Sequence, residues 1–202
     1  MSLVADTMPR MRQTLKGTST TAELLAKACA GDESAIETLI GQQEGRVYAL
    51  ARSILRTPEW AEDATQEALL RVVQNLSSTR HASTDFNAWV LSITRNVALD
   101  LWRKRRVRGE ASFEETAIQA APSAGEALHE SPLDALIARE DAGWMAAAIE
   151  TLPGPWREAL VLRFYHGLEP AQIAKVVGVS PENVRIRLWR ALRELRRQLT
   201  EE

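Results

Sequence analysis

Apolar residues recur every third or fourth position through most of this 202-residue chain, and no segment sustains the every-second-residue alternation of a half-buried strand. Val47, Leu50, Ala51, Ile54 and Leu55 form one such stripe, ended by Thr57-Pro58. Before it, Leu24, Leu25, Ala28 and Cys29 share a face. Ala30-Gly31-Asp32 reads as a stop and a new start, and Ile36, Leu39 and Ile40 continue the spacing. Gly41 to Gly45 reads as a junction between helices rather than a phosphate cradle. From Pro58 to Leu76 the inward positions are Ala61, Ala64, Ala68, Leu69, Val72, Val73 and Leu76. Phe86, Trp89, Val90, Ile93 and Val97 then open a long helix to about Arg106, with their side chains assigned to the core. The expected fold class is all-α.

Composition changes at Gly109. The stretch to Ser131 holds Pro122, Gly125 and small residues without firm periodicity, so it reads as a flexible linker. Two small helical domains are expected, at 21–108 and 133–202, after a loose arm at 1–20. In the second, a helix from Leu133 to Leu152 is broken by Pro153-Gly154-Pro155. Trp156 to His166 follows, stopped at Gly167, then Pro170 to Val176 and Pro181 to Leu199.

Several function classes drop out here. Apolar runs fall far short of the roughly 18 residues that span a bilayer, so no membrane insertion is expected. Met1 to Gly17 has no apolar block after its bases and is not a secretory signal, which makes the cytoplasm the expected location. One cysteine, Cys29, forbids an internal disulfide framework, and His81, His129 and His166 are too scattered for a metal centre. Walker, HExxH and GxSxG motifs are missing. We expect no enzyme, no metal, no cofactor and no small-molecule substrate.

The net charge of −2 hides a segregation. Glu59, Glu62, Asp63 and Glu67 crowd one stretch without a base, whereas Arg103-Lys104-Arg105-Arg106-Val107-Arg108 is almost all base. From Glu110 to Glu150 acids dominate, and after Pro181 arginines return.

The strongest local motif is PAQIAKVVGVSPENVRIRLW, Pro170 to Trp189. A helix-turn-helix needs a small residue where its helices touch, here Ala174, and a glycine four residues later at the turn, here Gly178. Ile173, Val179, Val184 and Leu188 supply a shared core, Ser180 an N-cap and Pro181 the first helical position. An ordinary αα-hairpin is the rival reading. Against it stands the final helix, where Arg185, Arg187, Arg190 and Arg193 are set around Trp189, with Glu182 and Asn183 at its leading end. Arginine holds phosphate or reads guanine bidentately.

Three stretches in order resemble the bacterial RNA polymerase sigma factors, in the extracytoplasmic-function (ECF) group of the sigma-70 family. Glu59-Trp60-Ala61-Glu62-Asp63-Ala64-Thr65-Gln66-Glu67 is similar to the core-polymerase-binding helix. Phe86 to Asn96, followed by Asp100 and Arg103, resembles the helix that recognises and opens the −10 element. Leu152-Pro153 to Leu199 resembles region 4, which reads the −35 element. The resemblance implies region 2 on the β′ coiled coil of core RNA polymerase, region 4 on the β flap, promoter DNA as ligand, and an anti-sigma factor as inhibitor.

The residues support these expectations on their own terms. Glu59, Glu62, Asp63, Gln66 and Glu67 lie three to four apart, either a plain solvated face or a surface for a basic partner. Ser92, Asn96, Asp100 and Arg103 form a polar line along one helix face. Asn96 offers donor and acceptor together, as a base-edge reader must. Its family counterpart implies contact with the non-template strand. Asp100 has a structural alternative, a bond to Arg103 or Lys104. Lys104, Arg105 and Arg106 either grip phosphate or simply suit a helix end. Trp102 beside them packs or stacks, and both stay open. The loop Ser77 to Asp85 corresponds to the one that captures an extruded base, with Arg80 and His81 available for phosphate. A stand-alone helix-turn-helix transcriptional regulator with an N-terminal sensing or dimerisation domain is the rival function.

Overall fold

The computed structural model describes residues 18–76, 83–108 and 142–200. The arm as far as residue 17, the linker, residues 133–141 of the expected helix, and Arg80 and His81 lie outside the described residues.

Every described element is a helix or a turn. The first four are α1 (Thr18–Cys29), α2 (Glu33–Leu55), α3 (Pro58–Asn75) and α4 (Ser83–Val107). Gly31 takes φ +91° between α1 and α2, and the Asp32 carboxylate then accepts the Ala35 N–H at 3.0 Å as an N-cap. The stop-and-restart read from Ala30-Gly31-Asp32 is therefore present. The junction expected at Gly41–Gly45 is not, because α2 runs unbroken through both glycines. Leu39, Gln43, Val47 and Leu50 stay in register on its buried face. Burying that stripe outweighs a helix-propensity cost of roughly 1 kcal/mol per glycine.

α2 packs against α1, α3 and α4. The core between them holds Leu39, Val47, Ala51, Ala61, Ala64, Ala68, Val72, Phe86, Val90 and Ala98. The alanines of α3 let it approach α2 closely. Buried hydroxyls are satisfied locally: Thr65 donates to the Ala61 carbonyl at 2.7 Å and Thr94 to that of Val90 at 2.9 Å.

The second group comprises α5 (Ala142–Thr151), α6 (Gly154–Leu160), a π-turn at Val161–Tyr165, α7 (Pro170–Val177) and α8 (Pro181–Thr200). Leu152, Leu160, Ala191 and Leu195 join α5, α6 and α8. Pro170 opens α7 behind a reciprocal capping box between Glu169 and Gln172. Gly178 ends α7 at φ +73°, and Ser180 accepts the Asn183 N–H at 3.2 Å to start α8.

The two groups also pack on each other. α4 meets α7, and α2 meets α6 and the π-turn. Leu50 and Leu91, from the first group, are buried in one cluster with Leu162, Leu168, Ile173, Ala174, Val177 and Val184 from the second. Periodicity identified both sets of helices but carried no sign of this shared seam.

Candidate nucleic-acid and partner interfaces

Glu59, Glu62, Asp63, Gln66 and Glu67 are all exposed on α3, opposite its alanine face. Glu67 accepts from Arg71 at 2.7 Å, one helical turn on. Asp63 accepts from Arg105 of α4 at 3.0 Å, and that guanidinium lies 4.7 Å from the centre of the Trp60 ring. This pairing ties the acidic stripe to the basic end of α4. The same face carries two residues that the sequence reading missed, Leu70 at 53% exposure and Val73 at 37%. Val73 had been assigned inward. It lies three residues beyond Leu70, which itself follows Gln66 by four and Glu67 by three, so the signal was the continuation of the polar stripe. Such an apolar end to an acidic stripe suits a partner with both basic and apolar side chains.

On α4, Phe86 and Val90 are buried, as their assignment to the core requires, and Trp89 and Ile93 pack against that core. Asn96, Asp100, Arg103, Lys104 and Arg106 are exposed, and Ser92 is half-buried. The Ser92 hydroxyl donates to the Trp89 carbonyl at 2.7 Å, which turns it toward its own helix. Asp100 accepts from Arg103 at 2.9 Å, the structural alternative raised for it. Both side chains stay exposed, so this screened pairing leaves Arg103 available to a stronger anion. Arg106 lies over the Trp102 ring at 5.3 Å. Trp102 also packs against the core, which settles its packing role.

The Pro170–Trp189 motif has the geometry its residues imply. Ile173 and Val184 are fully buried, Ala174 lies between the helices, and Val179 and Leu188 pack against them. On α8, Glu182, Asn183, Arg185 and Arg193 are exposed, and Trp189 and Arg190 are half-buried. Arg185 donates to Glu182 at 2.9 Å, and Arg193 lies 4.8 Å from the Trp189 ring centre. Arg187 is half-buried like Trp189 and Arg190, and lies within electrostatic reach of Glu158 and Arg95.

Along the seam, polar residues surround the apolar cluster. Arg157 is 3% exposed and donates to the Ser53 carbonyl at 2.7 Å, to that of Glu150 at 3.1 Å and to that of Leu152 at 2.8 Å. Arg95 of α4 donates to Glu158 of α6 at 2.6 Å. Burial raises the Glu158 carboxyl above the ordinary glutamate range, opposed by the charges of Arg95 and Arg187. Arg46 donates to the His166 carbonyl at 3.2 Å. The His166 ring is itself buried, and burial, with the Arg46 charge adding, pushes its pKa down to about 3. Among the described residues no group of acids, histidines or cysteines is placed to hold a metal ion, and no helix is long and apolar enough to cross a membrane.

Comparison with known proteins matches these two helical groups to two families, Sigma-70 region 2 over residues 39–108 and Sigma-70, region 4 over residues 142–195. The chain is 34% identical over 178 residues to "Probable RNA polymerase sigma factor RfaY" of Xanthomonas campestris, covering 87% of this chain and 43% of that protein. It is 29% identical to the ECF RNA polymerase sigma factor BldN of Streptomyces coelicolor, over 89% of this chain and 66% of BldN. It is 33% identical to the ECF sigma factor SigE of Mycolicibacterium smegmatis, over 82% of this chain and 63% of SigE. The chain thus spans between 43% and 66% of the length of these relatives. The fold is shared with CnrH, solved with the cytosolic domain of CnrY (TM-score 0.60, 22% identity, 90% of this chain and 98% of that one). It is shared too with RpoE of Bartonella quintana, solved with the anti-sigma factor NepR (TM-score 0.56, 23% identity, 76% of this chain and 89% of that one). With both regions matched in chain order and relatives of one kind over most of its length, the chain belongs to the extracytoplasmic-function group of the sigma-70 family.

Proposed function

We propose that this chain binds core RNA polymerase and directs it to promoters, reading the −35 and −10 elements and assisting strand opening. One observation carries the reading: an exposed acidic stripe on α3 and an arginine-faced helix-turn-helix at α7–α8 sit on the segments that match regions 2 and 4. Glu59, Glu62, Asp63, Gln66 and Glu67, extended by Leu70 and Val73, would meet the β′ coiled coil. Asn96 and the exposed bases of α4 would hold −10 DNA, with Arg80 and His81 beside them, and region 4 would rest on the β flap. The leading turns of α8, through Glu182, Asn183, Arg185, Trp189 and Arg190, would enter the −35 major groove, where each good base contact gives roughly 1–3 kcal/mol of discrimination.

The chemistry needed is binding without turnover, and the chain would act in the cytoplasm, where the polymerase is. An anti-sigma factor is the expected inhibitor, and the RpoE of similar fold was solved in complex with the anti-sigma factor NepR. A helix-turn-helix regulator with a sensing domain accounts for α7–α8 but leaves the region 2 match without a role.

Affinity capture with core polymerase tests the reading. The chain should retain the core enzyme and support run-off transcription with it. Asp63→Lys with Glu67→Lys should lower capture at least tenfold while circular dichroism stays unchanged. Failure of the unaltered, folded chain to retain core polymerase would overturn the reading.

A further inference from the structure

At the junction of α2 with α4 and the π-turn, four buried polar atoms lie without hydrogen-bond partners: Gln43 Oε1, Arg46 Nε and both ring nitrogens of His166. Gln43 and Arg46 stand three residues apart on one face of α2. Gln43 donates to Asn87 of α4 at 3.3 Å, and Arg46 donates to the His166 carbonyl at 3.2 Å, where the π-turn ends. Gln43 and His166 are only 4% and 7% exposed. Tyr165, exposed at 42%, lies edge-on to the His166 ring with centroids 5.1 Å apart, and so gives the cluster a side toward solvent. Single π-turns of this kind are frequent at functional sites.

Buried polar atoms without protein partners are satisfied by water or by an ion. Charge decides between the two. Arg46 is half-buried, and among the described residues no carboxylate pairs with its guanidinium. Burial lowers the pKa of that guanidinium, opposed only by Tyr165. Water would satisfy the hydrogen bonds and leave the cation uncompensated, whereas an anion does both. The lining also sets the kind of anion. Arg46 Nε donates, and a neutral imidazole has one donor and one acceptor, but Gln43 Oε1 only accepts. Near neutral pH a sulfate or carboxylate ion carries no proton for that oxygen. Inorganic phosphate keeps at least one.

We propose that Gln43, Arg46 and His166 form a binding site for inorganic phosphate. The Arg46 guanidinium and a His166 N–H hold its unprotonated oxygens, and its remaining proton is donated to Gln43 Oε1. That last contact selects phosphate over sulfate. The site goes beyond the polymerase reading and does not rest on it.

Calorimetric titration of the full chain with inorganic phosphate, and separately with sulfate, tests the site at neutral pH and matched ionic strength. Phosphate should bind saturably with one ion per chain, and sulfate about tenfold more weakly or worse. Because both ions stabilise folded proteins through exclusion from their surface, sulfate also controls for that general effect. The thermal midpoint should rise by about 3–6 °C when phosphate stands at ten times its Kd, and by less in equivalent sulfate.

Arg46→Met should weaken phosphate binding about tenfold or more. Gln43→Met should bring the two affinities close together by removing the acceptor. Glu37→Gln, an exposed acid of α2 outside the cluster, should change neither. If Arg46→Met loses its helices by circular dichroism, His166→Leu takes its place, with a loss of phosphate affinity again expected. Absence of saturable phosphate binding in the unaltered chain up to about 10 mM would mean that the cluster holds only water, and overturns the proposal. Equal affinity for sulfate overturns it too, as does undiminished phosphate binding in a folded Arg46→Met or His166→Leu. None of these measurements involves polymerase or DNA, so their failure would leave the functional reading standing, and failure of polymerase capture would leave the phosphate site standing.

Discussion

His166 shows how a single buried ring makes stability depend on pH. Its ordinary pKa of 6.5 falls to about 3 in the folded chain because burial disfavours the imidazolium and the Arg46 charge repels it. The unfolded chain therefore takes up a proton first as pH falls. Stability from the neutral ring is complete above about 6.5 and declines by about 1.4 kcal/mol per unit below it, until the folded pKa is reached. Urea denaturation at pH 7.5 and pH 5.0 should differ by about 2 kcal/mol more in the unaltered chain than in His166→Leu. An equal pH response in the two proteins would show that the ring is not held neutral. Gly178 offers a second test at this scale. Its φ of +73° ends α7, and an added Cβ would meet nothing within 4 Å, so only backbone strain opposes a side chain. Gly178→Ala should cost roughly 1–2 kcal/mol in urea denaturation, with the helix-turn-helix contacts otherwise retained.

At the scale of the element, α3 and α7–α8 were legible for different reasons. The turn of the helix-turn-helix imposes local chemistry: a small residue at the crossing, a residue able to take positive φ, and a cap. Ala174, Gly178 and Ser180 state that chemistry within seven residues. α3 was legible through its alanines, which define the packed side and leave Glu59, Asp63, Gln66 and Glu67 outside. The reading failed at Val73 because spacing admits a residue to a face without saying how far the neighbouring helix extends over it. It failed at Gly41–Gly45 because propensity is a local sum and the α2 stripe is held by α1, α3 and α4. If Leu70 and Val73 complete the partner surface, Leu70→Asp with Val73→Asp should weaken polymerase capture at least tenfold while the thermal midpoint stays within a few degrees. Both side chains are exposed, so little burial is lost on substitution. Unchanged capture would confine the interface to the acidic residues.

At the scale of the whole molecule, the seam couples two modules that have cores of their own. Leu50 and Leu91 enter the second module's cluster, and Arg157 bonds carbonyls on both sides. Calorimetry of the full chain should show one cooperative transition, because unfolding either module strips the other of buried contacts. Leu91→Glu should split it into two. Two transitions in the unaltered chain would mean that the seam contributes too little to couple them.

The amino-acid order by itself determined the helices, the caps at Asp32 and Ser180, the turn at Gly178 and the charge carried by each exposed face. Those features depend on neighbours within a few residues, where periodicity and backbone preference act directly. Only the tertiary structure decided that Arg95 reaches Glu158, that Asp63 pairs with Arg105, and that Leu50 and Leu91 serve the other module. The Asp63–Arg105 and Arg95–Glu158 contacts join residues 42 and 63 positions apart. A stripe of apolar residues specifies that it will be buried, and leaves to packing which of several matching surfaces buries it.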